Sequence, residues 1–348
     1  GAGSGAKRIA GPVYNSGGWD LSADLTVADG FVRQASSGSG CPAQPSRLRS
    51  DPGGRAGFYS CGPSIPTPAP VRSVDELVSG ASFDLNPPYE TIGACRVFSP
   101  GRYTVAPELS GGTNYFRPGV YVLDNVEMPI ARQGASVPVA IAGVPTEGPL
   151  PSALNGCPGV APVRNGVVFL LGGRGAISVD RAHLEIHPYY PNGPDGRPTQ
   201  SIYQLQSPLS DVVTDVPTGH VALRTSNGQG QELIVHGNVH VASSAVVLTG
   251  TGIGHDIQLL GGVVSRSLTI QASANINSFQ IAHTDDASAR VVDIAVEVTL
   301  RNGADLPIGR PVRGVATVFI RNDAARTTSL SAWRINEDLT SPSPASNP

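Results

Sequence analysis

His183 and His187 stand four residues apart beside Tyr189 and Tyr190, and His236 and His240 repeat that spacing. On an extended strand the side-chain period is two, so residues four apart project to one side. With His255, the second pair could ligate a metal ion. The helical HExxH geometry is absent, however, and Gly237-Asn238 predicts a bend between the two rings. These histidines therefore read as structural, and neither a metal ion nor another cofactor is expected. Grooves that hold sugars or peptides are lined by aromatic rings, which makes Tyr189, Tyr190 and Tyr203, with His183 and His187, candidate ligand-binding residues. Tyr115-Phe116 forms a further aromatic pair.

Other reactive constellations are thin. Proton abstraction beside a carboxylate needs an Arg or Lys base, often with calcium on clustered acids. Lys7 is the only lysine, and between residues 219 and 282 the only acids are Glu232 and Asp256. Polygalacturonase-like enzymes carry a GHG and an RxK motif, whereas this sequence has Gly254-His255-Asp256 and no RxK. Asp285-Asp286 reads as a solvated turn. No GxSxG elbow offers an esterase serine, and Gly250-Thr251-Gly252-Ile253-Gly254 has no third glycine at the right spacing and no following helix for a phosphate loop. The chain is not expected to be an enzyme, and no catalytic residue is assigned.

The elements that carry these residues are short strands. Leu233–His240 aligns with Ile257–Val264 at a shift of 24, each copy an apolar run meeting a glycine and resuming. Short apolar runs bounded by Gly, Ser and Asn signal strands, and their return every 20-odd residues predicts stacked rungs. Gly166–Gly173 resembles Gln258–Gly262, with LLGG pieces 89 residues apart, which four turns of about 22 would span. Pro100-Gly101-Arg102-Tyr103 and Pro118-Gly119-Val120-Tyr121 place Pro-Gly turns before strands. Gly and Pro supply 42 and 31 of 348 residues and charged residues only 15%, a balance that favours strands and turns over helical bundles. A net charge of −3 gives no footprint for nucleic acid or anionic membrane.

The fold class expected is all-β: a parallel, right-handed β-helix with long loop excursions and a C-terminal antiparallel β-meander. Residues 1–7 read as a linker or cloning scar, 8–282 as the coil, 283–290 as a linker, 291–336 as the meander and 337–348 as a disordered tail. Within the coil, residues 35–72 read as a Ser/Gly/Pro-rich loop. Ser73-Val74-Asp75-Glu76 has capping-box spacing and predicts a short helix ending near Gly80. Two excursions, 133–165 and 188–218, interrupt the strands. Of the three pairings open to four cysteines, Cys41–Cys61 with Cys95–Cys157 is the one expected, and the first closes a loop worth about 3 kcal/mol. Disulfides imply an oxidising, extracellular compartment.

The order of pieces resembles a family. Arg8–Ser16 (RIAGPVYNS), Leu25-Thr26-Val27, a cysteine-bearing loop, two P-G-x-Y units after Cys95, Gly166–Phe169, Glu232–Gly237 and the terminal Ser329–Arg334 strand around Trp333 are shared features. Together they resemble the extracellular part of actinobacterial pilus-assembly proteins with a PilX-type, minor-pilin-like N-terminal region. The resemblance covers most of residues 8–335. It implies an upstream prepilin-like membrane helix, a place on the cell surface or pilus, and a structural, adhesive display role. The partners implied are other pilus or cell-surface proteins and surface glycans, with no nucleic acid and membrane contact only through the upstream helix. It brings no catalytic residues. A polysaccharide-binding or polysaccharide-degrading β-helix protein is the alternative, and a trimeric tail spike a third.

Overall fold

The computed structural model describes residues 7–62, 83–190 and 200–281 apart from short breaks, and three strands between 290 and 335. It divides into two units, Gly1–His283 and Thr284–Pro348. The first unit opens with β1 (Lys7–Ala10), β2 (Val13–Asn15), β3 (Leu25–Ala28), β4 (Val32–Ala35), β5 (Leu48–Asp51) and β6 (Tyr59–Gly62). Next come β7 (Glu90–Ile92), β8 (Cys95–Phe98), β9 (Gly101–Tyr103), β10 (Gly112–Phe116), β11 (Gly119–Asp124), β12 (Glu127–Ala131) and β13 (Pro138–Ala142). Then follow β14 (Val167–Gly172), β15 (Ala176–Asp180), β16 (His183–Ile186), β17 (Ile202–Gln204), β18 (Val221–Thr225) and β19 (Glu232–Val235). β20 (Val239–Gly250), β21 (His255–Leu259), β22 (Val263–Ala272) and β23 (Ile276–Ile281) complete the unit. Among the described residues there is no α-helix, and no helix is long and apolar enough to cross a membrane.

The protein is all-β, with parallel strands in curled sheets. One sheet of eleven strands runs β5-β3-β1-β23-β21-β19-β16-β13-β10-β8-β7, and nine strands, β9, β11, β12, β14, β15, β17, β18, β20 and β22, form a second. β2, β4 and β6 form a third. The chain passes repeatedly from one long sheet to the other, so each visit adds a strand beside the previous one. Within this unit the only antiparallel strand pair among the described residues is β7 on β8, at the end of the eleven-stranded sheet.

Alternation decides which faces are buried. Leu184 and Ile186 on β16, and Leu233 and Val235 on β19, point into the main core with Phe169, Leu171, Val239 and Val241. In that core Phe98 stacks on Phe116 at 4.8 Å and Tyr103 on Tyr121 at 5.9 Å, so the two P-G-x-Y units deliver their tyrosines to one column. Gly119 makes this approach possible: its φ is +140°, and a Cβ there would lie 2.6 Å from Pro100 Cγ. No other residue type meets both conditions without strain.

Each expected excursion contains a sheet strand, β13 within 133–165 and β17 within 188–218, and it is the segments flanking those strands that fold back onto outer sheet faces. Leu154 and Cys157 from the first pack with Cys95, Val97, Tyr115 and Ile141 outside the eleven-stranded sheet. A 3-10 turn at Ser152–Gly156 lies in it, and Cys95–Cys157 fastens it down. From the second, Val212, with partly buried Tyr189 and Leu209, packs on Val122, Val168, Leu170 and Tyr203 outside the nine-stranded sheet. The other disulfide is Cys41–Cys61, so the expected pairing is the observed one.

Several expectations change. The 24-residue shift is real: Leu233 pairs with Ile257 and Val239 with Val263. It is not a constant period, because Ile141 pairs with Glu185 and Glu185 with Ile234 across the excursions. The two LLGG pieces fall on different sheets, Leu170-Leu171 on β14 and Leu259 on β21, so 89 residues is no whole number of turns. The loop expected over 35–72 contains β5 and β6, and Lys7, assigned to a linker, already lies in β1. The largest difference is topological: β1 pairs with β23, Lys7 opposite Phe279, and β3 and β5 continue outward from β1. The N-terminal strands thus extend the stack beyond its C-terminal strand.

In the second unit β24 (Arg290–Val298), β25 (Val312–Ile320) and β26 (Thr328–Ile335) form an antiparallel sheet. The helix expected at 73–80, the tail at 337–348 and the linker at 283–290 lie outside the described residues, except that Arg290 opens β24.

Candidate functional site

The strand sequence His183-Leu184-Glu185-Ile186-His187 sends its two apolar residues inward, leaving the three titratable ones on the outer face of the eleven-stranded sheet. Parallel pairing with β19 sets His183 beside Glu232 and Glu185 beside Ile234. Continuing that register past both strand ends places His187 beside His236. Their rings stack with centroids 4.3 Å apart and planes 11° from parallel.

The corner after each strand is tight, which keeps the two rings together. His187 is followed by Pro188 and His236 by Gly237. A Cβ on Gly237 would lie 2.2 Å from Ser201 Oγ and 3.0 Å from Pro188 Cβ. On the next strand Gly261 sits under Gly237, where a Cβ would come within 2.2 Å of its backbone carbon. The glycines that mark the repeat in the sequence are therefore close-packing residues at one corner.

Glu185 is the centre of the group. Its Oε1 lies 3.0 Å from His187 Nε2 and 3.2 Å from His236 Nε2, while Oε2 lies 3.8 Å from His183 Nε2. The other nitrogen of His183, Nδ1, is 2.5 Å from Glu232 Oε2. Side-chain exposure is 17% for Glu185 and 6% for His187, but 31% for His236 and 40% for Glu232, so the group opens to solvent on the β19 side. Burial alone would raise the Glu185 carboxyl; the three imidazoles around it, one of them hydrogen-bonded through His236 Nε2, and the charge of His187 overcome it and hold the carboxyl well below the usual range. Burial likewise opposes the charge on His183, yet the nearby Glu185 carboxylate and the hydrogen bond with Glu232 raise it to about 9. Glu232 is lowered, first by its hydrogen bond with His183. The arrangement is a chain of alternating charge, Glu232–His183–Glu185, ending on two parallel imidazoles. Among the described residues, Glu185, His187 and His236 are the group whose ligand atoms lie close enough, within 4.8 Å, to hold a metal ion.

Of the residues singled out from sequence, His183 and His187 come together here. Tyr203 faces the opposite sheet's outer surface, stacked on His240 at 5.4 Å, and Tyr189 packs beside it. Tyr190 is buried, its backbone N–H and carbonyl both bonded to the Asn165 side chain. Tyr115 and Phe116 are buried as well. His236 and His240 end on different sheets, separated by the bend at Gly237-Asn238. Glu185 was not singled out, although three titratable residues alternating with two apolar ones was a readable signal.

Comparison with protein-family models, with curated proteins and with solved structures finds no match for this chain.

Proposed function

We infer that this chain is a rigid extracellular display scaffold: a disulfide-stapled, right-handed parallel β-helix belonging to a type IV pilus-associated, minor-pilin-like surface protein. The observation that carries the reading is the cover over part of each long sheet. Sheet faces that could line an open groove are packed against the chain's own excursions, one of them fastened by Cys95–Cys157. A molecule built this way holds shape and presents outer loops to pilus or cell-surface proteins and surface glycans, without catalysis. Two disulfides suit an oxidising environment, and the order of motifs from Arg8 to Arg334 supports the pilus assignment.

The polysaccharide-degrading alternative has one observation in its favour, the convergence of Glu185 and Glu232 on His183. Glycoside hydrolysis, however, needs one carboxyl raised so that it can protonate the leaving group. Both carboxyls here are lowered by their histidines. Labelling intact cells of the source organism with antibody against this chain tests the scaffold reading. Label on pili or the cell envelope is expected; label confined to the cell interior contradicts it. Release of reducing ends from a polysaccharide panel would favour the alternative.

A further inference from the structure

We propose that Glu185 Oε1, His187 Nε2 and His236 Nε2 form a binding site for one borderline divalent transition-metal ion of the zinc class. The site does not depend on where the protein is displayed.

The geometry carries it. Zinc bonds to imidazole nitrogen and carboxylate oxygen run about 2.0–2.2 Å, so the edges of a tetrahedral set are about 3.3 Å. The two edges meeting at Glu185 Oε1 are 3.0 Å and 3.2 Å. Both imidazoles reach the carboxylate by Nε2, from adjacent parallel strands, with their planes 11° apart. Imidazole lone pairs lie in the ring plane, so the stacked rings must turn about their Cβ–Cγ bonds before both Nε2 atoms face one cation beside the carboxylate. Two histidines and one carboxylate suit zinc, and also copper and nickel, better than calcium or magnesium, which prefer oxygen ligands.

Support around these three is already built. His183 lies on the Oε2 side of Glu185, Nε2 at 3.8 Å, leaving Oε1 to the two rings, while Glu232 orients His183 through Nδ1. Outer groups of this kind fix first ligands and tune their basicity. Neighbouring rungs limit the site to this one pair, because the corner positions on either side are Gly143 and Leu260. Glu185 has ion-pair contacts with imidazoles alone among the described residues, so no arginine competes for Oε1. Entry is through the half-exposed His236 and Glu232.

The consequence is a clasp. His187 is the last residue before the second excursion leaves the sheet, and His236 sits one strand further along the stack, across residues 188–235. An ion held by both would close that loop at its base, stabilising the fold as a cross-link does.

The test uses untagged protein stripped with chelator and titrated calorimetrically with zinc chloride, with cobalt(II) absorption as a second probe. Expected are one zinc per chain, a Tm that rises with zinc, and a cobalt spectrum of low coordination number. His236→Ala should abolish binding while leaving far-ultraviolet circular dichroism unchanged, since the ring is partly exposed. Glu232→Gln should weaken it by about 10–100-fold through His183. No zinc bound to the folded wild-type protein, or binding unaltered by His236→Ala, would overturn the proposal.

Discussion

At the scale of the residue, the electrostatics of the outer face centre on Glu185. Its carboxyl is lowered in the folded protein, so its contribution is present above its ordinary value of 4.5 and is lost as pH falls. His183 is raised from 6.5 to about 9, so its contribution is present below 6.5 and is lost as pH rises through about 9. In chelator-treated protein the group therefore contributes most between those two ordinary values. Glu185→Gln should cost about 1.5–3 kcal/mol in urea unfolding at pH 6, the worth of hydrogen bonds to a charged group, and distinctly less at alkaline pH. Equal cost at both would mean the His183 pairing is absent. Tyrosines give a second, independent reading. Burial pushes Tyr115 up to about 12 and Tyr103 and Tyr121 above the usual range too. Stability should fall as pH climbs past 10, and these three phenols should ionise only together with unfolding in an ultraviolet absorbance titration.

At the scale of the element, corners and covers matter more than the strands themselves. Gly261→Ala would drive a Cβ into the backbone of Gly237. A loss of about 1–3 kcal/mol is expected, read as a shift in the denaturation midpoint, because the packed corner must open. Removing the staple with Cys95→Ser and Cys157→Ser releases a loop of sequence separation 62. That change should cost about 2–5 kcal/mol and let the first excursion be cut by protease before the strands under it. The legible part of the sequence follows the same division. Between β19 and β21 no excursion intervenes, so apolar run, glycine and apolar run return at 24 residues and can be aligned by eye. Where an excursion lengthens the turn, as from Glu185 to Ile234, the period disappears and the partner cannot be read. That is why His187 and His236 look unrelated in the sequence although their rings stack. Tyr189 and Tyr203 were legible as aromatics, but their packing was not, because nothing local encodes which sheet face a returning loop will cover.

At the scale of the whole molecule, the N-terminal strands are what the sequence conceals most fully. Leu25–Ala28 reads as a strand from its β-branched and apolar residues, yet nothing in it names β1 as partner, or β23 as partner of β1. A parallel strand recognises its neighbour by face and register, and many strands here share both patterns. The arrangement leaves β23 covered by residues near the chain's beginning. Deleting residues 1–62 should expose that edge and promote association through it, seen by light scattering as oligomers or aggregate. A deletion that stays monomeric and stable would argue against the pairing.

The central claim is that β1, β3 and β5 continue the parallel stack formed by β8, β10, β13, β16, β19, β21 and β23, giving one body rigid enough for display. Amide hydrogen exchange read by mass spectrometry, peptide by peptide, tests it most directly. The account predicts slow exchange in β10, β13, β16, β19 and β21, and comparable protection in β1 and β3, lost cooperatively on unfolding. Rapid exchange of β1 and β3 in protein whose central strands remain protected would contradict it.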